Sequence, residues 1–253
     1  MSVVSLQQQM QELNLIGMFQ AVETDLMVAN KNDWSHEEFL SNLLIKEKSY
    51  RDEQFVEKKI KAAHFKRNAY LEEFDMAVKR GVTKTILQEL MSLRFLEYAK
   101  PIVFVGQTGM GKSYLAEALG RYVCSNRKSV LFKESTELFL MINESRRLNR
   151  YLTMRKRLSQ FDVLIIDDFG MRKLTSTEAQ DLKELLEIRS INKSTFFTTQ
   201  LPLNHWNEVI EDVVILEAIV DLVQHSAIKI EMKSEKTYRE IKAKKIDEKT
   251  ISH

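Results

Sequence analysis

Residues 101–113 are Pro-Ile-Val-Phe-Val-Gly-Gln-Thr-Gly-Met-Gly-Lys-Ser. The apolar start predicts a short buried strand, and the glycine-rich end has the G-x-x-x-x-G-K-S spacing of a phosphate-binding loop. Residues 114–126 predict a helix, because their apolar residues recur at helical spacing. A strand, a glycine loop and a helix in this order predict a site where backbone N–H groups and a helix N-terminus face a polyphosphate.

The loop residues have separate expected roles. Glycines at 106, 109 and 111 are expected to adopt positive φ and to let the backbone approach a ligand. We expect Lys112 to reach the β- and γ-phosphates of ATP, and the Ser113 hydroxyl to bind Mg²⁺. The predicted nucleotide contacts in this segment are Gly106, Gln107, Thr108, Gly109, Met110, Gly111, Lys112, Ser113 and Tyr114. An accidental glycine-rich turn is the alternative, but it does not explain the flanking strand and helix.

Composition indicates an ordinary globular protein. The 253 residues are 44% hydrophobic and 29% charged, which suits one large domain or two modest ones. A net charge of +2 means that any binding of nucleic acid must come from local patches. The single cysteine excludes an internal disulfide, and the five histidines lack the spacing of metal ligands. Without a basic, apolar leader or an apolar stretch of about 18 residues, we expect a cytoplasmic protein.

The pattern of apolar, glycine and proline residues changes near residue 98. Residues 1–97 contain no proline and two glycines, which favours long helices, and we predict helices over residues 5–29 and 83–97. Ser35 and Glu38 have the spacing of a capping box. Residues 1–97 therefore predict an all-α N-terminal module that binds a partner or DNA.

Residues 98–253 alternate β-rich runs with helical patterns and end in a basic tail. This alternation predicts an α/β domain with a central, mainly parallel sheet flanked by helices. The predicted strands are Ile102–Val105, Val130–Phe132, Val163–Ile166, Thr195–Thr199 and Ala227–Glu231.

A second apolar strand ends in two carboxylates, in the sequence Phe-Asp-Val-Leu-Ile-Ile-Asp-Asp-Phe-Gly of residues 161–170. We expect Asp167 to hold Mg²⁺, directly or through water, and Asp168 to polarise the attacking water. A solvated acidic turn is the alternative, and the upstream phosphate loop makes it the weaker one. At the end of the next predicted strand, Thr199 or Gln200 either touches the γ-phosphate or orients water, or it only caps the strand before Pro202.

These motifs together resemble the IstB-like group of AAA+ ATPases, the ATP-binding helper proteins of insertion-sequence transposition and relatives of the DnaC helicase loader. The resemblance spans nearly the whole chain; it rests on residues 106–113, 164–170 and 198–202, and on residues 38–40, 43–44 and 71–75. It implies ATP hydrolysis, a nucleotide-dependent homo-oligomer on double-stranded DNA and a transposase partner. Residues 237–239, Thr-Tyr-Arg, match the group's Ser-Tyr-Arg ending, which implies that Arg239 is a sensor arginine for the γ-phosphate of its own subunit.

One position departs from the group. Its members usually carry, where this chain has Leu222, an arginine that acts on the ATP of a neighbouring subunit. Such an arginine accelerates hydrolysis by roughly 10³–10⁵ where it has been measured. We therefore expect slow hydrolysis that self-assembly stimulates only weakly.

Three segments are basic: residues 46–67, residues 146–157 and the C-terminal tail. The first and the last mix lysine with glutamate, as ordinary helix surfaces do. The middle one has no acid, and its arginines with an interleaved tyrosine suit a phosphate backbone. The predicted DNA contacts are Arg146, Arg147, Arg150, Arg155, Lys156 and Arg157.

The sequence leaves three functions open. The first is an ATP-dependent, DNA-binding helper that recruits or activates a transposase. The second is a helicase loader, in which the helical module would bind a replicative helicase instead. The third is a small-molecule kinase, for which the sequence offers no obvious acceptor site or lid. The length of the resemblance favours the first.

Overall fold

The computed structural model describes residues 3–234, so the predicted sensor residue Arg239 and most of the basic tail lie outside the described part. The chain divides into two compact units between Lys58 and Lys59. The sequence placed the division near residue 97, but residues 59–97 belong to the same unit as the sheet. The reason is burial, because side chains such as Leu71, Phe74 and Leu90 belong to a core cluster shared with the strands. A functional boundary at residue 97 stays a prediction.

The first unit is helical, as predicted. It contains α1 (Val3–Glu12), α2 (Ile16–Lys31) and most of α3 (His36–Ala63). The single helix predicted over residues 5–29 is wrong, because Asn14 adopts a positive φ of 56° and ends the first helix. The capping box at the start of α3 is confirmed: Ser35 N–H donates to the Glu38 carboxylate at 2.7 Å, and Glu38 N–H donates to Ser35 Oγ at 3.1 Å.

The second unit is built on a five-stranded sheet, which confirms the predicted α/β class. Its order is β2-β3-β4-β1-β5, and all four strand pairs are parallel. Each predicted strand is present, with ends that differ by three residues or fewer. The strands are β1 (Ile102–Gly106), β2 (Val130–Glu134), β3 (Val163–Phe169), β4 (Ser194–Thr199) and β5 (Ile228–Met232).

Helices connect the strands and cover the sheet. They are α4 (Lys84–Met91), α5 (Arg94–Glu97), α6 (Lys112–Ser125), α7 (Ser135–Arg147), α8 (Tyr151–Gln160), α9 (Ser176–Arg189) and α10 (Val213–Gln224), with a 3-10 helix at Leu203–Glu208. The helix predicted over residues 83–97 is interrupted, because Leu93 has a φ of 56°. None of the helices within residues 3–234 combines the length and the apolar character needed to cross a bilayer.

The core lies on both faces of the sheet. Successive side chains of a strand point to opposite faces, so Ile102 and Phe104 of β1 join one apolar cluster while Val103 joins the other. A parallel sheet that is covered on both faces has strands that are apolar almost throughout, as the runs before Gly106 and Asp167 are. Because all strands run in one direction, their carboxyl ends form a single edge, where ligands of such sheets bind.

Candidate nucleotide-binding site

A cavity of about 740 Å³ opens at the carboxyl edge of the sheet. It brings together two of the predicted groups, the phosphate loop and the aspartates after β3. The loop residues on its wall are Thr108, Gly109, Gly111, Lys112, Ser113 and Tyr114. Asp167, Asp168 and Gln200 line the same cavity, together with residues of the segment 66–80, which the sequence did not predict as part of the site.

The phosphate loop has the expected backbone at two of its three glycines. Gly109 and Gly111 have φ angles of 83° and 94°, as predicted. The prediction of a positive φ at Gly106 is wrong. A Cβ atom at Gly106 would lie 2.2 Å from the Met232 carbonyl oxygen, so glycine is required there by the adjacent strand β5. The loop leads directly into α6 at Lys112, and the free N–H groups of the first turn therefore end at the cavity.

The Lys112 side chain crosses back over its own loop. It is only 5% exposed, and its Nζ donates a hydrogen bond to the Gln107 carbonyl at 3.0 Å. Burial lowers the pKa of Lys112, while the charges of Asp168 and Asp167 oppose that shift. Phosphate oxygens of a nucleotide bound in the cavity would be stronger acceptors for this amine than a neutral carbonyl is.

Arg80 fastens the segment 66–80 to the phosphate loop. Its guanidinium donates to the Met110 carbonyl at 3.1 Å and to the Asp75 carbonyl at 2.9 Å, and it stacks 4.1 Å from the centre of the Phe74 ring. A Cβ atom at Gly111 would lie 2.8 Å from Arg80 Nη1, so the glycine also makes room for this contact. Met110 was predicted to contact the nucleotide, but its side chain is buried in the core. Its carbonyl accepts the hydrogen bond from Arg80.

Tyr114 contacts the same segment. Its hydroxyl donates to the Tyr70 carbonyl at 3.2 Å and lies 3.3 Å from the Glu73 carboxylate. One wall of the cavity is thus the loop that follows α3, held by two residues on the phosphate-loop side. Nothing local in residues 66–80 indicates this role, because the contacts join positions that lie 30 to 44 residues apart.

The two aspartates reach the cavity together because β3 is irregular. The pairing of β3 with β4 shifts register between Ile166 and Phe169, and Asp168 has a φ of 52°. A regular strand would send neighbouring side chains to opposite faces, whereas a bulge re-aims one of them. Asp167 is 2% exposed and Asp168 is partly buried. Burial, and next the charge of Asp167, raise the pKa of Asp168, while Lys112 opposes the shift.

A third carboxylate, which the sequence did not predict, stands beside the aspartates. Glu134 ends β2 in register with Asp167, and oxygens of Glu134, Asp167 and Asp168 lie within 4.8 Å of one another. Oxygen ligands of this kind are the ones that Mg²⁺ prefers, with water completing its shell. The donor set therefore fits Mg²⁺, with Ser113 on the wall of the same cavity.

Thr198 orients both aspartates, and the sequence did not predict it. Its hydroxyl donates to Asp167 Oδ1 at 2.5 Å and accepts the Asp168 N–H at 2.9 Å. The structure does not bring Thr199 to the cavity; its hydroxyl accepts the Leu201 N–H at 3.0 Å. Gln200 does line the cavity, and its amide lies 3.4 Å from Met171 Sδ. The nucleotide contact of Thr199 and the water-orienting role of Gln200 stay predictions.

Thr198→Val is expected to reduce ATP turnover about tenfold, because the variant keeps the shape but removes the donor to a buried carboxylate, worth about 1–3 kcal/mol. Turnover should be measured together with thermal unfolding, and Thr153→Val on the exposed surface of α8 serves as the control. Wild-type turnover in Thr198→Val would show that the threonine does not position the aspartates.

Leu222 occupies the position at which group members usually carry an arginine that acts on a neighbouring subunit. Leu222 lies on α10 against the core cluster that covers one face of the sheet. Arg189 cannot act on a neighbouring subunit in place of the missing arginine, because it is 1% exposed and donates to the carbonyls of Leu158 and Phe161. Burial lowers the pKa of Arg189 to about 9. This arginine supports the fold and is closed to a neighbouring subunit.

The basic segment 146–157 is less uniform than its sequence predicts. Arg146 pairs with the buried Asp181 through two hydrogen bonds and lies 3.8 Å from the Tyr151 ring, and Arg155 pairs with Glu184. Both acids come from α9, and the sequence does not indicate that α9 lies next to this basic segment. Within residues 3–234, the four other cations are exposed and form no ion pair: Arg147, Arg150, Lys156 and Arg157.

The comparisons with known proteins agree with this geometry. The family model described as IstB-like ATP binding protein matches residues 8–245. A relative from Sinorhizobium fredii, named for ATP binding and an insertion sequence, is 30% identical over 90% of this chain and 93% of its own length. An IS232 relative with the same kind of name, from Bacillus thuringiensis, is 30% identical over 78% of each chain.

Solved structures share the fold. The crystal structure of DnaI has a TM-score of 0.56 and 21% identity, covering 66% of this chain and 92% of that one. The AMPPCP-bound DnaA of Aquifex aeolicus has a TM-score of 0.58 and 16% identity over 73% of this chain and 56% of its own. These similarities support the AAA+ fold with a phosphate loop. The chain belongs to the IstB-like ATP-binding protein family and has the fold of AAA+ proteins.

Proposed function

We propose that this chain hydrolyses Mg·ATP in the cavity and that its ATP-bound form assembles on double-stranded DNA, where it recruits or activates a transposase. The observation that carries the proposal is the meeting of two halves of a site. Lys112 and Ser113 come from the start of α6, and Asp167 and Asp168 come from the end of β3. Phosphoryl transfer to water needs this combination of a phosphate cradle and acidic metal ligands.

In the proposed mechanism the side chains have distinct roles. Lys112 exchanges the Gln107 carbonyl for oxygens of the β- and γ-phosphates. Ser113 and Asp167 hold Mg²⁺, which when bound neutralises charge on the phosphates. Asp168, on the strained bulge, accepts a hydrogen bond from the attacking water and polarises it. Gln200 at the rim orients that water, and Arg239, outside the described residues, would contact the γ-phosphate.

Turnover is proposed to be slow. Leu222 carries no charge, and Arg189 is buried among carbonyl groups. A neighbouring subunit in a homo-oligomer therefore lacks the arginine that group members usually supply from this position.

The proposal of DNA as a partner, and with it a cytoplasmic location, rests on two supports. The relatives are named for insertion sequences. The exposed cations at the end of α7 and on α8, without acidic partners among the described residues, suit contacts with a phosphate backbone and no base specificity.

Replacing Arg147, Arg150 and Arg157 together with alanine is expected to weaken binding to any duplex and to flatten its salt dependence. Each lost phosphate contact lowers the log–log slope by about 0.9, so the triple variant should lose about two to three units. Fluorescence anisotropy at several salt concentrations measures the slope. Arg155→Ala, which removes a cation already paired with Glu184, is the control and should keep the slope. An unchanged slope in the triple variant would remove this patch from the DNA interface.

A role in helicase loading is the second candidate, because the DnaI and DnaC structures share the fold, with TM-scores of 0.56 and 0.50. At 21% and 20% identity this likeness supports the fold, whereas the relatives named for insertion sequences support the transposition role. Capture by the full chain with Mg·ATP on duplex DNA separates the two. Recovery of a transposase supports the first candidate, and recovery of a replicative helicase reverses the order.

A further inference from the structure

We propose that Lys66 is a second lysine of the cavity that contacts the γ-phosphate, in addition to Lys112. This inference rests on the proposed Mg·ATP site and deepens it. Neither the phosphate-loop pattern nor the paired aspartates assigns a role to this residue, which follows α3 in an irregular segment.

The chain places Lys66 beside the site through α6. The backbone N–H groups of Lys66 and Arg67 both donate to the Glu117 carboxylate, at 2.8 and 3.0 Å, and Arg67 Nε lies 2.8 Å from the same side chain. Glu117 is fully buried and lies just over one turn after Lys112 and Ser113 on α6. The helix that presents the phosphate loop therefore also fixes the backbone position of Lys66.

The Lys66 side chain points to the acidic end of the cavity. Its Nζ is hydrogen-bonded to Glu134, whose oxygens lie within 4.8 Å of those of Asp167 and Asp168. All four side chains line the cavity. Lys112 and Lys66 thus line the same cavity as the phosphate loop and the carboxylates, and the γ-phosphate is the part of ATP that would lie nearest the carboxylates.

The charge balance also favours a cation at this point. Three carboxylates face a ligand that brings about four negative charges, and a divalent metal offsets only part of their repulsion. In the described part of the chain, the two arginines on the cavity wall already have partners: Arg67 pairs with Glu117, and Arg80 donates to backbone carbonyls. Lys66 and Glu134 are 38% and 37% exposed, so the lysine can exchange its carboxylate for a phosphate oxygen.

A lysine in this position compensates in part for Leu222. A cation supplied by the same subunit acts on the γ-phosphate without a neighbour, so its contribution to turnover does not depend on assembly. This distinguishes Lys66 from an arginine that acts across a subunit interface.

The test is calorimetric titration of Mg·ATP and Mg·ADP into the full chain, with steady-state turnover of ATP, for the wild type, Lys66→Met, Lys66→Arg and Lys112→Met. The loss of one charge-assisted hydrogen bond predicts that Lys66→Met weakens Mg·ATP about tenfold, lowers kcat about tenfold and changes Mg·ADP by less than about threefold. Lys66→Arg should restore most of both. Lys183→Met, which removes a partly exposed ion pair with Glu187 on α9, should match the wild type.

Equal weakening of ATP and ADP in Lys66→Met would overturn the inference, because loss of a merely structural ion pair does not distinguish the two nucleotides. Wild-type binding and turnover in Lys66→Met would overturn it as well. Both results leave the proposed site intact if Lys112→Met still weakens Mg·ATP binding about a hundredfold. A wild-type chain that takes up no Mg·ATP would overturn the proposed function and this inference together.

Discussion

Lys112→Met is expected to remove measurable hydrolysis and to weaken Mg·ATP binding about a hundredfold. Lys112 is 5% exposed, and its amine is held over the phosphate loop by one hydrogen bond to a neutral carbonyl, which phosphate oxygens can replace. Two charge-assisted hydrogen bonds at about 1.5 kcal/mol each correspond to roughly two powers of ten in affinity. Calorimetry and a phosphate-release assay on the full chain measure both effects.

The control for Lys112→Met is Lys128→Met, which removes an exposed cation from the loop between α6 and β2. Methionine replaces the apolar part of the lysine side chain and omits only the amine. Burial at Lys112 already disfavours charge, so thermal unfolding of the variant should stay close to that of the wild type. A folded Lys112→Met protein that still binds Mg·ATP with wild-type affinity would contradict the assignment of the loop.

Asp168→Asn is expected to lower turnover by about 10²–10⁴ and to leave Mg·ATP bound at least as tightly as in the wild type. The amide cannot accept a proton from water, but it removes a negative charge that faces the phosphates. The backbone should not change, because asparagine tolerates the positive φ of 52° at this position as well as aspartate does.

The neighbouring substitution separates the roles of the two aspartates. Asp167→Asn should weaken binding in the presence of Mg²⁺ and have little effect on binding in its absence, because Asp167 is proposed as the metal ligand. Single-turnover kinetics and calorimetry with and without EDTA distinguish the two variants. If Asp168→Asn loses metal-dependent binding and Asp167→Asn loses only turnover, the two assignments are exchanged.

The sheet and half of the site follow from local sequence. The apolar runs before Gly106 and Asp167 define buried strands, and the spacing of the glycine loop predicts phosphate binding. These patterns are local, because strand burial and loop geometry depend on residues close together in the chain. The helix break at Leu93 was not predictable in this way, since leucine seldom adopts a positive φ. Asn14, by contrast, is of a residue type that tolerates a positive φ at the end of a helix, so that break had a local signal.

The other half of the site depends on contacts between distant segments. Thr198 meets the aspartates only after β3 and β4 pair with a register shift, which no pattern in either strand indicates. Lys66 and Glu134 are 68 residues apart and meet at the edge of the sheet. In the basic segment, two of the six cations pair with acids of α9. The sequence alone therefore predicts more unpaired positive charge on this surface than the structure has.

The most direct measurement is gel filtration with light scattering of the full chain on a duplex, comparing Mg·ATP, Mg·ADP and no nucleotide. If occupancy of the cavity by a triphosphate governs assembly, a protein–DNA complex larger than one subunit forms with Mg·ATP and not in the other two conditions, and Lys112→Met forms none. The same elution profile in all three conditions, or an assembly that persists in Lys112→Met, would contradict that link.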